Sequence, residues 1–553
     1  MVEAINQIYK HRQDFILIGL TGKIGAGCTT TADFMTKDIP EHNLPPLTIN
    51  DSSSDITRKK YIIHNFYKSN WKPFRRIIAS DIITSFLLEK KFKELNEFFE
   101  DNKIKSFSND FKDEYKSFYE EYHSINFKEV NKKSFDFITT KLPIISKRIK
   151  EELGSSKEYN NYSKIYQLMG DNLRLYGDIF KLDDVKYEKI FTISERINKY
   201  IKIIRAYNES NKEKTYIVID AFRNPFEVMF FKERYSAFYL MAINANEKDI
   251  EDRLTHKFNM TIKDIKDRHL KENPDDLVKD AKSFVSQNIK PCIQKSDLHI
   301  SNNGKTDNND FYELYGQIIK YVSLIQHPGL ITPSLDEKMM QVAHTAKLNS
   351  ACLSRQVGAS ITNEFGSLKA IGWNSVGDGQ TPCLLRNKDE LLQGTKSISF
   401  SIYEKSEIFK SSIKKFYPNI NSLNLKGRNQ SFCFKTIYNK QENDKNQVHT
   451  RSLHAEENAF LQIAKYGGEG IKNGTLYSTA SPCELCSKKA YQLGIKRIVY
   501  IDPYPGIAQT QILNTGLFPP KIVLFKGAIG TAYHKLYDPI LSYKDELSAL
   551  ANL

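Results

Sequence analysis

No apolar run in this 553-residue chain approaches the ~18 residues that a membrane-crossing helix requires. The N-terminus offers no signal peptide: its apolar stretch, FILIGL, is short and runs straight into a Gly-rich turn. Long basic tails are missing too. Lys and Arg (80) outnumber Asp and Glu (66) for a net charge of +14, yet the cations are spread along the chain among acids. Nothing here has the form of a Lys/Arg block that grips a phosphate backbone. The excess of positive charge favours an anionic partner (nucleotide, nucleic acid or membrane surface), and it equally describes a lysine-rich solvated surface. Cysteines number seven, an odd count, and two of them form a C-x-x-C pair. That argues against a disulfide framework and for a metal site in a reduced, cytoplasmic setting. No internal repeat is visible.

What the chain has is enough apolar material for more than one core: 40% hydrophobic residues, with 33 Phe and 30 Tyr, over a length that exceeds a single domain. The pattern predicts an α/β protein of two domains. The first, about residues 14–325, opens with the strand FILIGL and the turn and helix TGKIGAGCTTTADFM, and continues with strand candidates TYIVIDAF (215–222) and AFYLMAINA (237–245). Short apolar runs without polar alternation suit a parallel sheet covered on both faces. A helical insertion, about 80–155, is rich in Lys, Glu, Phe and Tyr. It reads as amphipathic helices packing their own aromatics, or as a lid or partner-binding element. HPGLITPS (327–334) reads as a linker. The second domain, about 335–545, starts with a helix and two strands (QVGASIT, LKAIGWNS), then a polar insertion at 380–450. It closes as helix (HAEENAFLQIAKYG), strand (TLYST), helix (CELCSKKAYQLG), strand (KRIVYID). This alternation implies α/β/α layers.

The most specific motif is LHAEENA (453–459) followed by SPCELC (481–486). His454, Cys483 and Cys486 supply three ligands of the kind zinc takes, leaving the fourth tetrahedral position open for water. Both motif halves open helices, where unpaired backbone N–H groups favour thiolate. Glu456, two residues after the His, can face that water without ligating the metal and act as general acid and base. H-x-E followed by P-C-x-x-C, here with Pro482, is the pattern of nucleobase deaminases. The alternative is a structural zinc site, which would need a fourth ligand such as Cys433 or His449.

Residues 335–505 resemble the deoxycytidylate deaminase family, on HAEENA, SPCELC and the stretch SRQVGASIT followed by AIGWNS. The resemblance implies zinc-dependent hydrolytic deamination of dCMP or dCTP and gives Asn374 a nucleotide contact. Arg355 is a candidate phosphate contact, and Ser481 and Tyr504 candidate pocket residues. It also implies a homo-oligomer. The long insertion before His454 departs from the family pattern and leaves substrate phosphorylation level and oligomer contacts open.

GKIGAGCTT (22–30) has P-loop spacing: Gly22, Gly25 and Gly27 free backbone N–H groups to converge on phosphates, and Thr29 or Thr30 is placed to meet magnesium. Cys28 stands where the phosphate-binding Lys belongs. IVIDAFRNP puts Asp220 at a strand end as a Walker-B-like acid, and SDLHISNNG (296–304) looks like the last strand of small-molecule kinases. The N-terminal half thus resembles a P-loop nucleotide kinase that would bind ATP, GTP or another nucleotide with magnesium but is poorly equipped for phosphoryl transfer. A kinase-like domain before a deaminase domain resembles bacterial anti-phage deoxycytidine-nucleotide deaminases. That resemblance implies nucleotide depletion during infection and restraint by a regulatory nucleotide, an RNA or an inhibitor protein. Rival readings are an RNA or single-stranded DNA cytidine deaminase, a kinase with a deaminase partner domain, and a non-catalytic nucleotide sensor.

Overall fold

A computed structural model describes residues 2–551 apart from 43, 45, 46, 48, 51, 105, 155–158, 259, 260, 262–283, 304–310, 395, 396, 445, 447, 468, 469, 504 and 505. The chain forms two compact units, 1–332 with 534–553, and 333–533.

In the first unit, β1 (Phe15–Thr21) lies between β3 (Thr215–Asp220) and β4 (Phe238–Asn244), with β2 (Arg75–Ile78) outside β3 and β5 (Leu298–Ser301) outside β4. Every pairing is parallel, as the buried apolar runs require. The strand order reverses around β1, so the loop after β1 opens at the switch point of the sheet, where α/β folds bind ligands. β2 was not expected: four residues with two arginines carry no strand pattern, and the strand exists because β3 offers it an edge.

The helical region is longer than the sequence suggested. It runs through helices Phe92–Asp101, Lys112–His123 and Leu142–Leu153 and on through Tyr159–Tyr176 to Thr192–Ser210. The polar stretch from Gly154 reads as a terminator, yet Ile165 and Met169, then Ile193, Ile197, Ile201 and Ile204, continue one apolar face into the same core. That core packs aromatic rings such as Phe99, Phe107, Phe111 and Tyr115 against one another. A helix Val2–Asp14 precedes the expected boundary at residue 14. Residues 534–553, expected within the second domain as far as 545, group instead with the first unit. The reason is a buried polar knot: Glu546 accepts from the Tyr9 hydroxyl at 3.0 Å and pairs with His327 Nε2 at 2.8 Å. His327, at the head of the expected linker, is thus buried.

In the second unit the sheet order is β10 (Lys521–Leu524), β9 (Arg497–Asp502), β8 (Thr475–Ala480), β6 (Gly358–Thr362), β7 (Leu368–Trp373). β6 is antiparallel to both neighbours, and β8, β9 and β10 are parallel. Alternation of side chains splits the core in two. Tyr477, Val499 and Ile501 pack with Met340 and Ala343 of helix Leu335–Lys347. Leu476 and Ile498 pack with Ala455, Ala459 and Phe460 of helix Ala455–Tyr466. Gly372 permits the second contact to be close: a Cβ there would sit 2.1 Å from the Ala455 carbonyl oxygen. Among its described residues the insertion at 380–450 carries short helices, Glu407–Phe416 and Phe434–Glu442 the longest, and a small core of Leu391, Phe400, Phe409, Ile413, Phe432 and Ile437. Beneath it lies a fully buried ion pair, Arg386 with Glu404.

Candidate active site

Two helix starts meet at the C-terminal end of β8. His454 is the N-cap of helix Ala455–Tyr466, and Cys483 is the N-cap of helix Glu484–Gln492, reached from β8 through Ser481 and Pro482. His454 Nδ1 lies 3.2 Å from Cys483 Sγ and 3.5 Å from Cys486 Sγ. Tetrahedral zinc with Zn–S near 2.3 Å and Zn–N near 2.0 Å sets such ligands about 3.5 Å apart, so the three atoms fit that ion. Among the described residues neither Cys433 nor His449 joins the cluster, which leaves three ligands and an open position. Cys483 is held down to about 4, first by a hydrogen bond with Cys486 and then by His454, while that hydrogen bond and then burial push Cys486 up. His454 is raised, chiefly by its bond to Cys483.

Glu456 points into the same place from the first turn of its helix and is almost wholly buried. Desolvation raises its carboxyl above the usual range, against the opposing pull of a backbone hydrogen bond, the Ser478 hydroxyl and His454. Ser478 Oγ donates to Oε1 at 2.8 Å, which holds the carboxylate in place. The cluster opens into a cleft walled by Cys352, Arg355, Asn374, Lys435, Thr450 and Ser481, among others.

Asn374 lines this cleft, but its amide also serves the backbone: Oδ1 accepts from the Val357 N–H at 2.7 Å, and Nδ2 donates to the Leu453 carbonyl at 3.4 Å. It ties β6 to the residue before His454, and one Nδ2 hydrogen remains for a ligand. Arg355 bonds Asp502 at 2.8 Å through NH2, and the Ser481 N–H donates to the Asp502 carbonyl at 2.9 Å. Tyr504 lies outside the described residues. Sequence reasoning missed Ser478, Lys435, Thr450 and Ser452. Thr450 and Ser452 adjoin the His motif and were findable by proximity; Lys435, nineteen residues upstream of His454, gave no signal.

In the first unit the Gly-rich turn adopts the conformation its glycines allow: φ is +79° at Gly25 and +110° at Gly27, and Gly27 caps helix Cys28–Met35. A Cβ at Gly27 would sit 2.2 Å from Asn302 Nδ2, and one at Gly22 2.5 Å from the Ile243 carbonyl oxygen. The turn is braced from behind. Asn302 Nδ2 donates to the Ala26 carbonyl at 2.7 Å, and Arg253 donates to the Gly25 carbonyl at 3.2 Å and the Asn302 carbonyl at 2.6 Å. Thr29 Oγ1 donates to Asp220 Oδ2 at 3.3 Å, and Arg76 pairs with the same carboxylate. The structure therefore brings Gly22, Gly25, Gly27, Cys28, Thr29, Thr30 and Asp220 together at the ends of β1 and β3.

Three ligand atoms that fit zinc thus converge beside a buried carboxyl, and the proteins that the chain is similar to here are deaminases. Residues 422–502 match the family model described as the cytidine and deoxycytidylate deaminase zinc-binding region. The chain is similar to deoxycytidylate deaminase of Schizosaccharomyces pombe, 27% identical over 228 residues, 41% of this chain and 54% of that one. It thus spans about half the length of that relative. Deoxycytidylate deaminase of Enterobacteria phage T2 is 28% identical over 178 residues, 30% of this chain and 79% of that one. The solved dCMP deaminase of cyanophage S-TIM5 aligns over 35% of this chain and 100% of its own, at 21% identity and a TM-score of 0.21.

Proposed function

We propose that the second unit deaminates free deoxycytidine nucleotides, dCMP or dCTP, to the uracil nucleotide and ammonia, with zinc as its cofactor. The observation that carries this reading is Glu456, a buried carboxyl held by Ser478 beside three converged ligands. His454, Cys483 and Cys486 would hold the zinc, which supplies the Lewis acidity that makes water nucleophilic near neutral pH. Glu456 takes one proton from the attacking water as its oxygen bonds C4 and passes it to the ring N3; it then takes the remaining hydroxyl proton and gives it to the C4 amine, so that the C4–N bond breaks, ammonia leaves and the C4 carbonyl forms. Its raised carboxyl suits both directions of transfer. Asn374, through its remaining Nδ2 hydrogen, is placed to hold the sugar or base edge.

In the first unit, the braced glycine turn at a sheet switch point supports binding of a nucleotide's phosphates. Asp220, Thr29 and Thr30 would face its magnesium. With Cys28 in place of Lys and Asp220 engaged by Arg76, the same turn is poorly suited to phosphoryl transfer. The reading is therefore a nucleotide-binding unit that regulates the deaminase. The domain order supports a role in depleting deoxycytidine nucleotides during phage infection. Seven free thiols fit a cytoplasmic setting, and no helix among the described residues is long and apolar enough to cross a membrane.

The test is to incubate purified protein with dCMP, dCTP, CMP, CTP and a cytosine-containing oligonucleotide, and to follow ammonia or uracil. Reaction of the free deoxynucleotides supports the reading. Reaction of the oligonucleotide alone overturns it.

A further inference from the structure

The turn before helix Cys28–Met35 lacks the side chain that ordinarily carries its charge: Cys28 stands where a phosphate-binding turn has lysine. Backbone N–H groups at a helix start supply only about half a unit of positive charge. A nucleotide's phosphates carry several negative charges, so a turn that holds them needs a cation from elsewhere in the fold.

The edge of the sheet delivers one. Arg76 lies on β2 opposite Val218 of β3, while Ile78 lies opposite Asp220. Its side chain runs forward along the sheet to the end of β3, where NH2 pairs with Oδ2 of Asp220. Thr29 Oγ1 donates to that same oxygen at 3.3 Å. One carboxylate oxygen therefore joins the guanidinium to a hydroxyl in the first turn of helix Cys28–Met35. NH1 reaches Asp33 of this helix at 2.6 Å.

The two carboxylates hold the guanidinium unequally. The Asp220 side chain is 8% exposed, and taking its cation away would strand a buried charge. Asp33 is 53% exposed, and water replaces a pair of that kind at little cost. Arg76 is thus fixed at NH2 and releasable at NH1. A guanidinium carries five N–H donors, and that of Nε is buried with no acceptor among the described residues. A metal ion would have to compete for the same place. Magnesium needs oxygen ligands in near-ideal octahedral geometry, and the Asp220 oxygen that meets Thr29 already bears the guanidinium.

We propose that Arg76 is the phosphate-binding cation of the first unit. It takes the place of the lysine missing at Cys28 by turning NH1 from Asp33 to a phosphate of the ligand, while NH2 stays on Asp220. The ligand is a nucleotide bound through its phosphates, and the magnesium that Asp220, Thr29 and Thr30 would face adds little to its affinity. This rests on the reading of the turn as a nucleotide site, and deepens it by naming the side chain that meets the charge.

The experiment is calorimetric titration of the zinc-loaded full chain with non-hydrolysable ATP and GTP analogues, with magnesium and in magnesium-free buffer, for the parent, Arg76→Met, Arg76→Lys and Asp33→Asn. The parent is expected to bind an analogue with affinities within about 3-fold in the two buffers. Arg76→Met should weaken magnesium-free binding about 10- to 100-fold, the range of a charge-assisted contact. Arg76→Lys keeps the charge without the fork and should recover part of that loss. Asp33→Asn should tighten binding about 2- to 5-fold, because it removes the competitor for NH1 and a negative charge beside the phosphates. That variant keeps Arg76 and its buried pair, so it decides the matter even where Arg76→Met lowers the melting temperature. The proposal is overturned if the parent binds an analogue only with magnesium, if Arg76→Met leaves magnesium-free affinity unchanged, or if Asp33→Asn fails to tighten binding. A parent that binds neither analogue in either buffer overturns the reading of the turn as a nucleotide site, and the proposal with it; that failure is visible before any substitution is made.

Discussion

At the scale of single residues the site depends on charge held where water is scarce. Cys483 and Cys486 are both buried beside His454, and a divalent ion would hold both as thiolates in place of their protons. Cys483→Ser or Cys486→Ser is therefore expected to lose most of the zinc, about one per chain in the parent, as read by elemental analysis; full occupancy in both variants would refute the ligand set. Glu456→Gln keeps the shape and the Ser478 contact but removes the proton carrier. It should retain zinc and fold while turnover drops by about 10²- to 10⁴-fold, and near-parent turnover would end the mechanism. Ser478→Ala tests the same carboxyl by its pH profile. The Ser478 hydroxyl lowers the Glu456 pKa, so its loss raises that pKa further. Because the deprotonated form accepts the first proton, the acidic limb of kcat/KM should move to higher pH; a limb that stays in place or moves down would show that Glu456 does not set it. His454, Glu456, Cys483 and Cys486 were legible in the sequence because catalysis fixes their spacing along the chain. Ser478 and Lys435 were not, since they reach the site by strand pairing and by a packed insertion, and neither leaves a mark on local spacing.

At the scale of elements, the strands of both sheets could be read wherever burial imposed a pattern: FILIGL, TYIVID, FYLMAIN and RIVYID stand in the structure as β1, β3, β4 and β9. β2 escaped because its stability is supplied by β3 rather than by its own residues. The insertion at 380–450 escaped for another reason. Its sequence is polar, and what orders it is a compact aromatic core above an ion pair, Arg386 with Glu404, that is wholly buried. Arg451 NH2 adds a second cation 3.6 Å from Glu404, so the pair also ties the insertion to the residues just before His454. Arg386→Met should cost about 3–5 kcal/mol because it leaves Glu404 buried without its main partner. Arg386→Met with Glu404→Leu should recover much of that loss. The two tryptophans make this measurable: Trp71 lies in the first unit and Trp373 in the second, so in a Trp71→Phe background urea unfolding followed by fluorescence reports on the second unit alone. Equal stability of the single variant and the parent would show that the pair is not what holds the insertion.

At the scale of the whole molecule, the proposed reading puts a candidate phosphate-binding turn and a candidate deaminase site in one chain. A turn that keeps its glycines, its Thr29 hydroxyl and its acid, but has Cys28 for Lys, is equipped to bind a nucleotide and poorly equipped to consume it. Binding without consumption suits sensing, and on the proposed reading an enzyme that would drain a deoxynucleotide pool needs restraint. The hypothesis is that occupancy of the turn shifts the deaminase between a weakly and a strongly active state, which requires unequal affinity of the nucleotide for the two. Gly27→Val is a poor probe, since any side chain there meets Asn302 and a φ of +110°, and the turn would be lost for reasons unrelated to ligand. Thr29→Val keeps the shape and removes the hydroxyl that contacts Asp220. In the parent, a nucleotide triphosphate that does not serve as substrate, such as a non-hydrolysable ATP or GTP analogue, is expected to change the apparent affinity for dCMP. Linkage then demands that dCMP change the affinity for the analogue by the same factor, about 5- to 150-fold for a coupling of ordinary size. Thr29→Val should weaken analogue binding and remove its influence on dCMP kinetics. Calorimetry gives one arm of the cycle and deaminase kinetics the other. If the analogue binds the parent and dCMP kinetics do not respond, the two sites are not coupled, and the first unit serves the deaminase only as a scaffold.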